Sequence, residues 1–113
     1  MDSKFQVFKS TADYQYYYRL RAKGNHETIL NGEGYTTKQS CLNGIASVKV
    51  NAPIDSRYER KRITFYTFVL KAANGEPIGR SETYTTETAR ENGISAVKRD
   101  APSAPIEDLT GER

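Results

Sequence analysis

Apolar and polar side chains alternate along two stretches of the chain, residues 14–22 and residues 66–72. One face of the first stretch carries Tyr14, Tyr16, Tyr18, Leu20 and Ala22, and one face of the second carries Tyr66, Phe68, Leu70 and Ala72. Alternation with a period of two, rich in aromatic residues, is typical of a β-strand that buries one face. Each stretch therefore predicts a strand with one buried and one open face.

Shorter strands are predicted around these two, at residues 5–9, 28–31, 57–62 and 77–80. The Asn74-Gly75 pair between two of the predicted strands is a strong signal for a β-hairpin turn. Residues 104–110 carry two further large apolar side chains, Ile106 and Leu109, and predict an additional edge strand.

A helical period follows the third strand of each half. Cys41, Ile45 and Val48 lie at positions i, i+4 and i+7 of one helix face, and Ala89, Ile94 and Val97 form a similar stripe. Thr36 and Gln39 have the spacing of a capping box, which predicts Thr36 as the cap and Gln39 as the side chain reaching back. Both helices are expected to end before a proline, Pro53 or Pro102, because proline disfavours a helical residue before it.

Each predicted helix contains a glycine, Gly44 or Gly93. Glycine costs about 1 kcal/mol relative to alanine inside a helix. We therefore expect another part of the protein to approach the helix closely at these positions. The alternative is a helix broken at Asn-Gly, but Ile45 and Val48 continue the apolar stripe beyond it.

The two halves of the chain are copies of one another. When residues 33–53 are aligned with residues 82–102, an offset of 49, eleven of the 21 pairs are identical. The identical residues of the first copy are Glu33, Tyr35, Thr36, Thr37, Asn43, Gly44, Ile45, Val48, Lys49, Ala52 and Pro53. Upstream the offset becomes 50, so the first copy has one extra residue near Gly24-Asn25-His26, where a turn would tolerate it. Such self-similarity is typical of a tandem repeat.

These elements predict an α+β fold and a single domain of residues 1–113, with repeats of about 3–53 and 54–110. Each repeat has three strands and a helix, with a possible closing strand. The two repeats are expected to share one antiparallel sheet, with both helices packed on one face. One repeat alone would cover its apolar face poorly, which explains why two are present.

The motif Phe68-Val69-Leu70-Lys71-Ala72-Ala73-Asn74-Gly75-Glu76, followed by Tyr84-Thr85-Thr86 and Asn92-Gly93-Ile94, resembles the YegP-like family of small uncharacterised bacterial proteins. The resemblance covers nearly the whole chain and occurs twice. It implies tandem strand-and-helix units that share one sheet and exchange their last strands, and a two-copy chain that is a monomer. The lengthened turn at Lys23-Gly24-Asn25-His26-Glu27 departs from the pattern. The family carries no established activity that the resemblance could transfer.

Composition excludes several classes of protein. The chain has 113 residues, a formal net charge of +3 and a single cysteine, so a disulfide-stapled fold is excluded. The N-terminus lacks the apolar run of a signal peptide, and no stretch approaches the 18 apolar residues of a membrane span. We therefore expect a cytoplasmic protein.

Few residues are candidates for catalysis. His26, the sole histidine, lies in a predicted turn, and Cys41 lies on the apolar stripe of a helix. Gly32-Glu33-Gly34 precedes a helix but is only a fragment of a phosphate-binding loop, and Glu33 would repel phosphate. The paired acids Glu33 and Glu82 suit the dipole at a helix start better than acid–base work. No catalytic residue, metal ligand or cofactor is predicted, and we do not expect an enzyme.

The open face of the sheet is the candidate binding face, with Tyr17, Arg19, Arg21 and Lys71 on it and more basic residues at positions 57, 60, 61 and 62 nearby. We expect a small module that binds a protein or another macromolecular partner. The alternative is weak binding of single-stranded nucleic acid, since aromatic and basic side chains on an open sheet stack bases and neutralise phosphates. The same residue types also occur as ordinary solvated cross-strand pairs, and the low net charge favours that interpretation.

Overall fold

A computed structural model describes residues 2–112 and shows an α+β fold. Its elements are β1 (Lys4–Lys9), β2 (Tyr16–Arg21), β3 (Thr28–Gly32), α1 (Lys38–Asn51), β4 (Tyr58–Arg62), β5 (Tyr66–Lys71), β6 (Pro77–Arg80), α2 (Glu87–Asp100) and β7 (Ile106–Asp108). A short 3-10 turn follows each helix, at Asp55–Arg57 and Ala101–Ser103. The predicted α+β class and the tandem order of strands and helices are confirmed.

All described strands join one sheet in the order β4-β5-β6-β3-β2-β1-β7. The two repeats meet at β3 and β6, where Asn31 lies opposite Arg80. These residues occupy equivalent positions, at the offset of 49, so the antiparallel pair marks a pseudo-twofold axis.

The sheet is mixed rather than wholly antiparallel, because β7 runs parallel to β1. The chain leaves α1 for β4, at the far edge beside the second repeat, and leaves α2 for β7, beside the first repeat. Among the described strands, β4 belongs to the second repeat as the equivalent of β1, so β7 alone crosses to the half of the sheet formed by the other repeat. The exchange of last strands that the family resemblance implied is thus seen for β7 only.

Both helices pack on one face of the sheet and share one hydrophobic core. The largest side chains below 2 % exposure include Phe5, Tyr18 and Leu20 from the first repeat and Phe68 and Leu70 from the second. The alternation predicted for β2 is confirmed from Tyr16 to Arg21, with every second residue buried. Tyr14 was expected on the same face but is 71 % exposed, because the chain turns at Ser10–Gln15 and Tyr14 adopts a φ of 58°.

The glycines inside the helices lie against tyrosines. A Cβ built on Gly44 would lie 2.8 Å from Cζ of Tyr35, and one on Gly93 would lie 2.8 Å from Cζ of Tyr84. Both helices continue unbroken through these residues, so the predicted close approach is confirmed in both repeats. The neighbour is a tyrosine ring from the segment that precedes each helix.

The helix ends differ from the prediction in detail. Thr37 and Thr86, not Thr36 and its counterpart, cap the helices by accepting hydrogen bonds from Ser40 N and Ala89 N. Gln39 does not reach back to the cap, because its Nε2 donates to Asn43 Oδ1 at 3.0 Å. Ala52 and Ala101 keep helical dihedrals despite the following prolines. Each helix therefore ends because the proline has no N–H to donate to the carbonyl four residues before it.

The second helix buries Arg90 where the first buries Cys41, while Ala89 is only half-buried. The guanidinium of Arg90 donates to Glu91 at 3.0 Å and to the Lys61 carbonyl at 3.3 Å. These partners compensate the burial of its charge.

The two edge strands of the sheet, β7 and β4, are protected differently. β7 has only three residues and pairs with β1, where Leu109 N donates to the Val7 carbonyl at 2.8 Å, and a very short edge strand offers little to pair with. In the other edge strand, β4, Arg60 occupies the position equivalent to Val7. Its side chain lies on the helix side of the sheet and donates to Glu91 at 3.0 Å. A charged side chain pointing inward from an edge strand discourages edge-to-edge pairing. Arg60 thus belongs to the edge and not to the open face.

Candidate binding face

The face of the sheet opposite the helices carries one row of side chains that crosses every strand. Cross-strand pairing joins Glu107, Gln6, Arg19, Asn31, Arg80, Val69 and Glu59 in that order. Neighbouring residues of this row are close enough to interact. The row therefore allows the first-repeat and second-repeat sides of the open face to be compared position by position.

On the first-repeat side, two arginines share one neutral acceptor. Arg19 Nε donates to Gln6 Oε1 at 2.8 Å, and Arg21 Nε donates to the same oxygen at 3.0 Å. Gln6 is 9 % exposed, and its Nε2 donates to Glu107 at 2.7 Å. This hydrogen bond fixes the orientation of the amide whose oxygen accepts from the arginines. Within residues 2–112, neither arginine has a carboxylate oxygen within 4.0 Å.

Two aromatic rings lie beside these arginines. Phe8 and Tyr17 are cross-strand neighbours with ring centroids 6.0 Å apart and ring planes at 21°. The Arg19 guanidinium lies 4.7 Å from the Phe8 ring centre, a cation–π contact. Gly34 leaves room for the side chains of Gln15 and Tyr17, since a Cβ there would meet Gln15 Oε1 and would lie 3.1 Å from Tyr17 Cζ. We call Gln6, Phe8, Tyr17, Arg19 and Arg21 the aromatic–arginine patch.

Ionisation in the patch follows from its contacts. Burial, and after it the charge of Arg21, lowers the pKa of Arg19, but a guanidinium remains charged at neutral pH. Tyr17 donates to Asp13 at 2.6 Å, and this hydrogen bond raises the pKa of Tyr17 and lowers that of Asp13. At neutral pH the patch therefore presents two adjacent positive charges and a neutral phenol.

On the second-repeat side the open face neutralises itself. Glu59 holds the position of Gln6, and it pairs with Lys71 at 2.7 Å and with Lys61 at 3.1 Å. The hydrogen bond from Lys71, followed by that from Lys61, lowers the pKa of Glu59. Arg80 is also paired, with Glu33 at 3.0 Å. Cations here are thus matched by carboxylates.

The predicted binding residues are therefore split by the structure. Tyr17, Arg19 and Arg21 lie together on β2, whereas Lys71 lies three strands away, about 14 Å at the usual strand spacing, and is paired with Glu59. Gln6 and Phe8 were missed by sequence reasoning. The period of two along residues 4–9 would have placed both on the open face.

The candidate catalytic residues lie apart from this face. Cys41 is fully buried in the core, and burial raises the pKa of its thiol to about 11. His26 lies in the β2–β3 turn, where its Nε2 is 3.0 Å from the Asp2 carbonyl oxygen. Across residues 2–112, no three histidine, cysteine or acidic side chains are grouped so as to hold a metal ion.

A cleft of 660 Å³ lies on the helix side, between the β2–β3 hairpin and α2. Its walls include Glu27, Glu82, Tyr84 and Asn92. Burial, and after it the two carboxylates, raises the pKa of Tyr84. Lys23 also lines the cleft, so its charged groups are two carboxylates and one ammonium.

Within the described part of the chain, no helix is long and apolar enough to cross a membrane.

Fold and face together define a class of protein: a tandem-repeat α+β protein with one helix-covered sheet face and one open face. Residues 12–59 and 65–108 each match the family model described as "Domain of unknown function (DUF1508)". The chain belongs to this family, and the two matches agree with the internal repeat.

Two bacterial UPF0339 proteins are similar to the chain in sequence. The chain is 45 % identical over 76 residues to the UPF0339 protein in the ptx operon 5′ region of Stutzerimonas stutzeri, covering 66 % of this chain and 67 % of that protein. It is 51 % identical over 73 residues to the UPF0339 protein YegP of Escherichia coli (strain K12), covering 62 % of this chain and 64 % of YegP. The resemblance to YegP-like proteins is confirmed.

Two solution NMR structures have the same fold across the whole chain. The UPF0339 protein SO3888 of Shewanella oneidensis is 40 % identical, with a TM-score of 0.90 over 100 % of this chain and 96 % of that one. The E. coli YegP structure, described as a protein of unknown function, is 44 % identical, with a TM-score of 0.90 over 100 % and 97 %. These relatives establish the fold, and none is described by an activity or a partner.

Proposed function

We propose that this protein is a non-enzymatic module that holds a macromolecular partner on the aromatic–arginine patch. The observation that carries the proposal is the pair Arg19 and Arg21, whose guanidinium groups have no carboxylate within 4.0 Å among residues 2–112. A half-buried cation is costly when it is unpaired, so the patch suits a partner that supplies negative charge.

Three further expectations, on catalysis, cellular location and oligomeric state, belong to the same proposal. Cys41 is a poor nucleophile, because its thiol is buried and the pKa of the thiol is raised. This argues against a catalytic role for Cys41. We place the protein in the cytoplasm, since a lone free cysteine suits a reducing compartment. We also propose a monomer, because one edge strand, β7, has only three residues and Arg60 protects the other edge. A stable dimer in sedimentation experiments would contradict the monomer.

The binding proposal is tested by capture from a bacterial lysate on the immobilised full chain. Three proteins are compared: the natural sequence, Arg19→Gln/Arg21→Gln, and the control Lys61→Gln/Lys71→Gln. Both variants lose two positive charges from the same sheet face. We expect a component that the natural and control proteins retain and the arginine variant loses at least tenfold. Identical captured sets for all three proteins would contradict the proposal.

A further inference from the structure

We propose that Arg19 and Arg21, tethered by Gln6, clamp a backbone phosphate of a single-stranded nucleic acid, with Phe8 and Tyr17 beside them as the base-stacking surface. This inference rests on the proposed function and names the chemistry of its partner.

The clamp follows from how the two guanidinium groups are held. Each uses its Nε to bind the Gln6 oxygen, and Arg21 donates once more, through Nη1, to the His26 carbonyl at 3.1 Å. A guanidinium has five N–H donors, so several on each arginine remain for a ligand. Arginine donors fixed in position are well suited to the oxygens of a phosphate.

A neutral tether is what keeps the clamp positively charged. Gln6 accepts from both arginines without cancelling either charge. The second repeat shows the alternative, because Glu59 at the same position pairs with Lys61 and Lys71. The carboxylate of Glu107 bonds to the far side of Gln6 and pairs with Lys4 at 3.3 Å. Glu107 thus orients the Gln6 amide, while the negative charge of Glu107 is paired with Lys4.

The aromatic neighbours favour a single strand over the other anionic partners. Phe8 and Tyr17 form the next cross-strand pair on this face, two residues along β1 and β2 from the Gln6–Arg19 pair. The aromatic rings therefore lie beside the arginines. Single-stranded chains expose bases that stack on aromatic side chains of an open sheet, whereas a duplex hides its bases. An acidic protein would satisfy the arginines but would make no particular use of the ring pair.

The test is a fluorescence-anisotropy titration of the full chain with labelled eight-nucleotide oligouridylate and oligothymidylate, at low and at physiological salt. We expect binding that weakens with salt, because phosphate contacts release counterions. Arg19→Gln/Arg21→Gln should weaken it about tenfold or more and reduce the salt slope by about one. Lys61→Gln/Lys71→Gln, with the same change in charge, should bind within about twofold of the natural protein. Equal losses in both variants would reduce the effect to net charge and overturn the clamp.

Two further measurements separate the parts of the inference. Tyr17→Leu should weaken single-strand binding several-fold, since a base can no longer stack on the phenol ring. A duplex of equal length should bind more weakly than a single strand; equal binding of the duplex would overturn the stacking surface. If the oligonucleotides do not bind while lysate capture stays dependent on Arg19 and Arg21, this inference fails and the proposed function stands. If capture fails too, both fail.

Discussion

On the helix-covered face the two repeats use the same or similar residues at most equivalent positions, with Arg60 and Arg90 in place of Val7 and Cys41 as exceptions, whereas on the open face they diverge. Tyr35 packs on Gly44 as Tyr84 packs on Gly93, and Leu20 and Leu70 hold the same place in the core. Across the open face, Gln6, Phe8, Tyr17, Arg19 and Arg21 correspond to Glu59, Lys61, Thr67, Val69 and Lys71. Packing thus constrains one face of each repeat, and the other face has been free to take different charges.

Small compensating changes accompany this divergence. In the first repeat, Gly34 makes room for the ring of Tyr17; in the second, threonines occupy both positions, Thr83 and Thr67. The turn between the second and third strands differs in the same way. Gly75, with a φ of 87°, is replaced by His26, which keeps a positive φ of 57°, and Gly24, with a φ of 91°, joins the longer turn. The extra residue is accommodated in the turn without disturbing the strands.

The shared face is tested by filling the space between helix and tyrosine. Gly44→Leu and Gly93→Leu should each destabilise the protein by about 3 kcal/mol, because a Cβ alone already meets the tyrosine ring and overpacking a core costs 1–3 kcal/mol or more. Both losses should be similar, since the two repeats pack alike. Urea unfolding measures them, and an unchanged midpoint for either variant would contradict the packing argument.

The open faces are made more alike by moving one carboxylate. Gln6→Glu/Glu107→Gln conserves net charge and preserves a hydrogen bond between the two side chains, but it places a carboxylate under Arg19 and Arg21, as Glu59 lies between its lysines. Oligonucleotide affinity should fall about tenfold, or about 1.4 kcal/mol, while the unfolding midpoint stays nearly unchanged. Undiminished affinity would show that the neutral tether is not what matters.

The smallest effect concerns β7, the edge strand that lies beside the first repeat and has no equivalent beside the second among the described residues. The Lys38 ammonium, 2.8 Å from Asp108, and after it Thr110 lower the pKa of Asp108 to about 2. A lowered folded-state pKa stabilises the protein above the unfolded value, and the stabilisation is lost as pH falls from about 4 to about 2. Asp108→Asn should flatten stability against pH in this window, and Lys38→Met should flatten it less, because the hydrogen bonds from Thr110 remain. Overlapping profiles for the natural protein and both variants would refute the contribution of this ion pair.

Much of the candidate site was predictable from the sequence. The period of two placed Tyr17, Arg19 and Arg21 on one face of one strand, and the structure brings them together there. The same periodicity places Lys71 on that face. The pairing of Lys71 with Glu59 depends on which strands are neighbours, and periodicity does not predict the strand order. Whether the face binds a partner, and the repeat boundaries near residues 53 and 54, stay predictions.

The cap of each helix shows the same division at smaller scale. Adjacent threonines precede both helices, and the capping-box spacing of Thr36 and Gln39 favours Thr36 as the cap. The extended backbone of Thr37, with a φ of −128°, and its bond to Ser40 N decide the matter.

By itself, the sequence determined the repeat, the strands and helices, the close approach at two glycines and the α+β class, because these depend on local periodicity and on identities between the copies. The tertiary structure decided which strands are neighbours, that β7 runs parallel to β1, and which charges on the open face are matched. The physical reason is that pairing between strands joins residues far apart in the chain. Whether a cation finds a carboxylate or a glutamine beside it is settled only by that pairing.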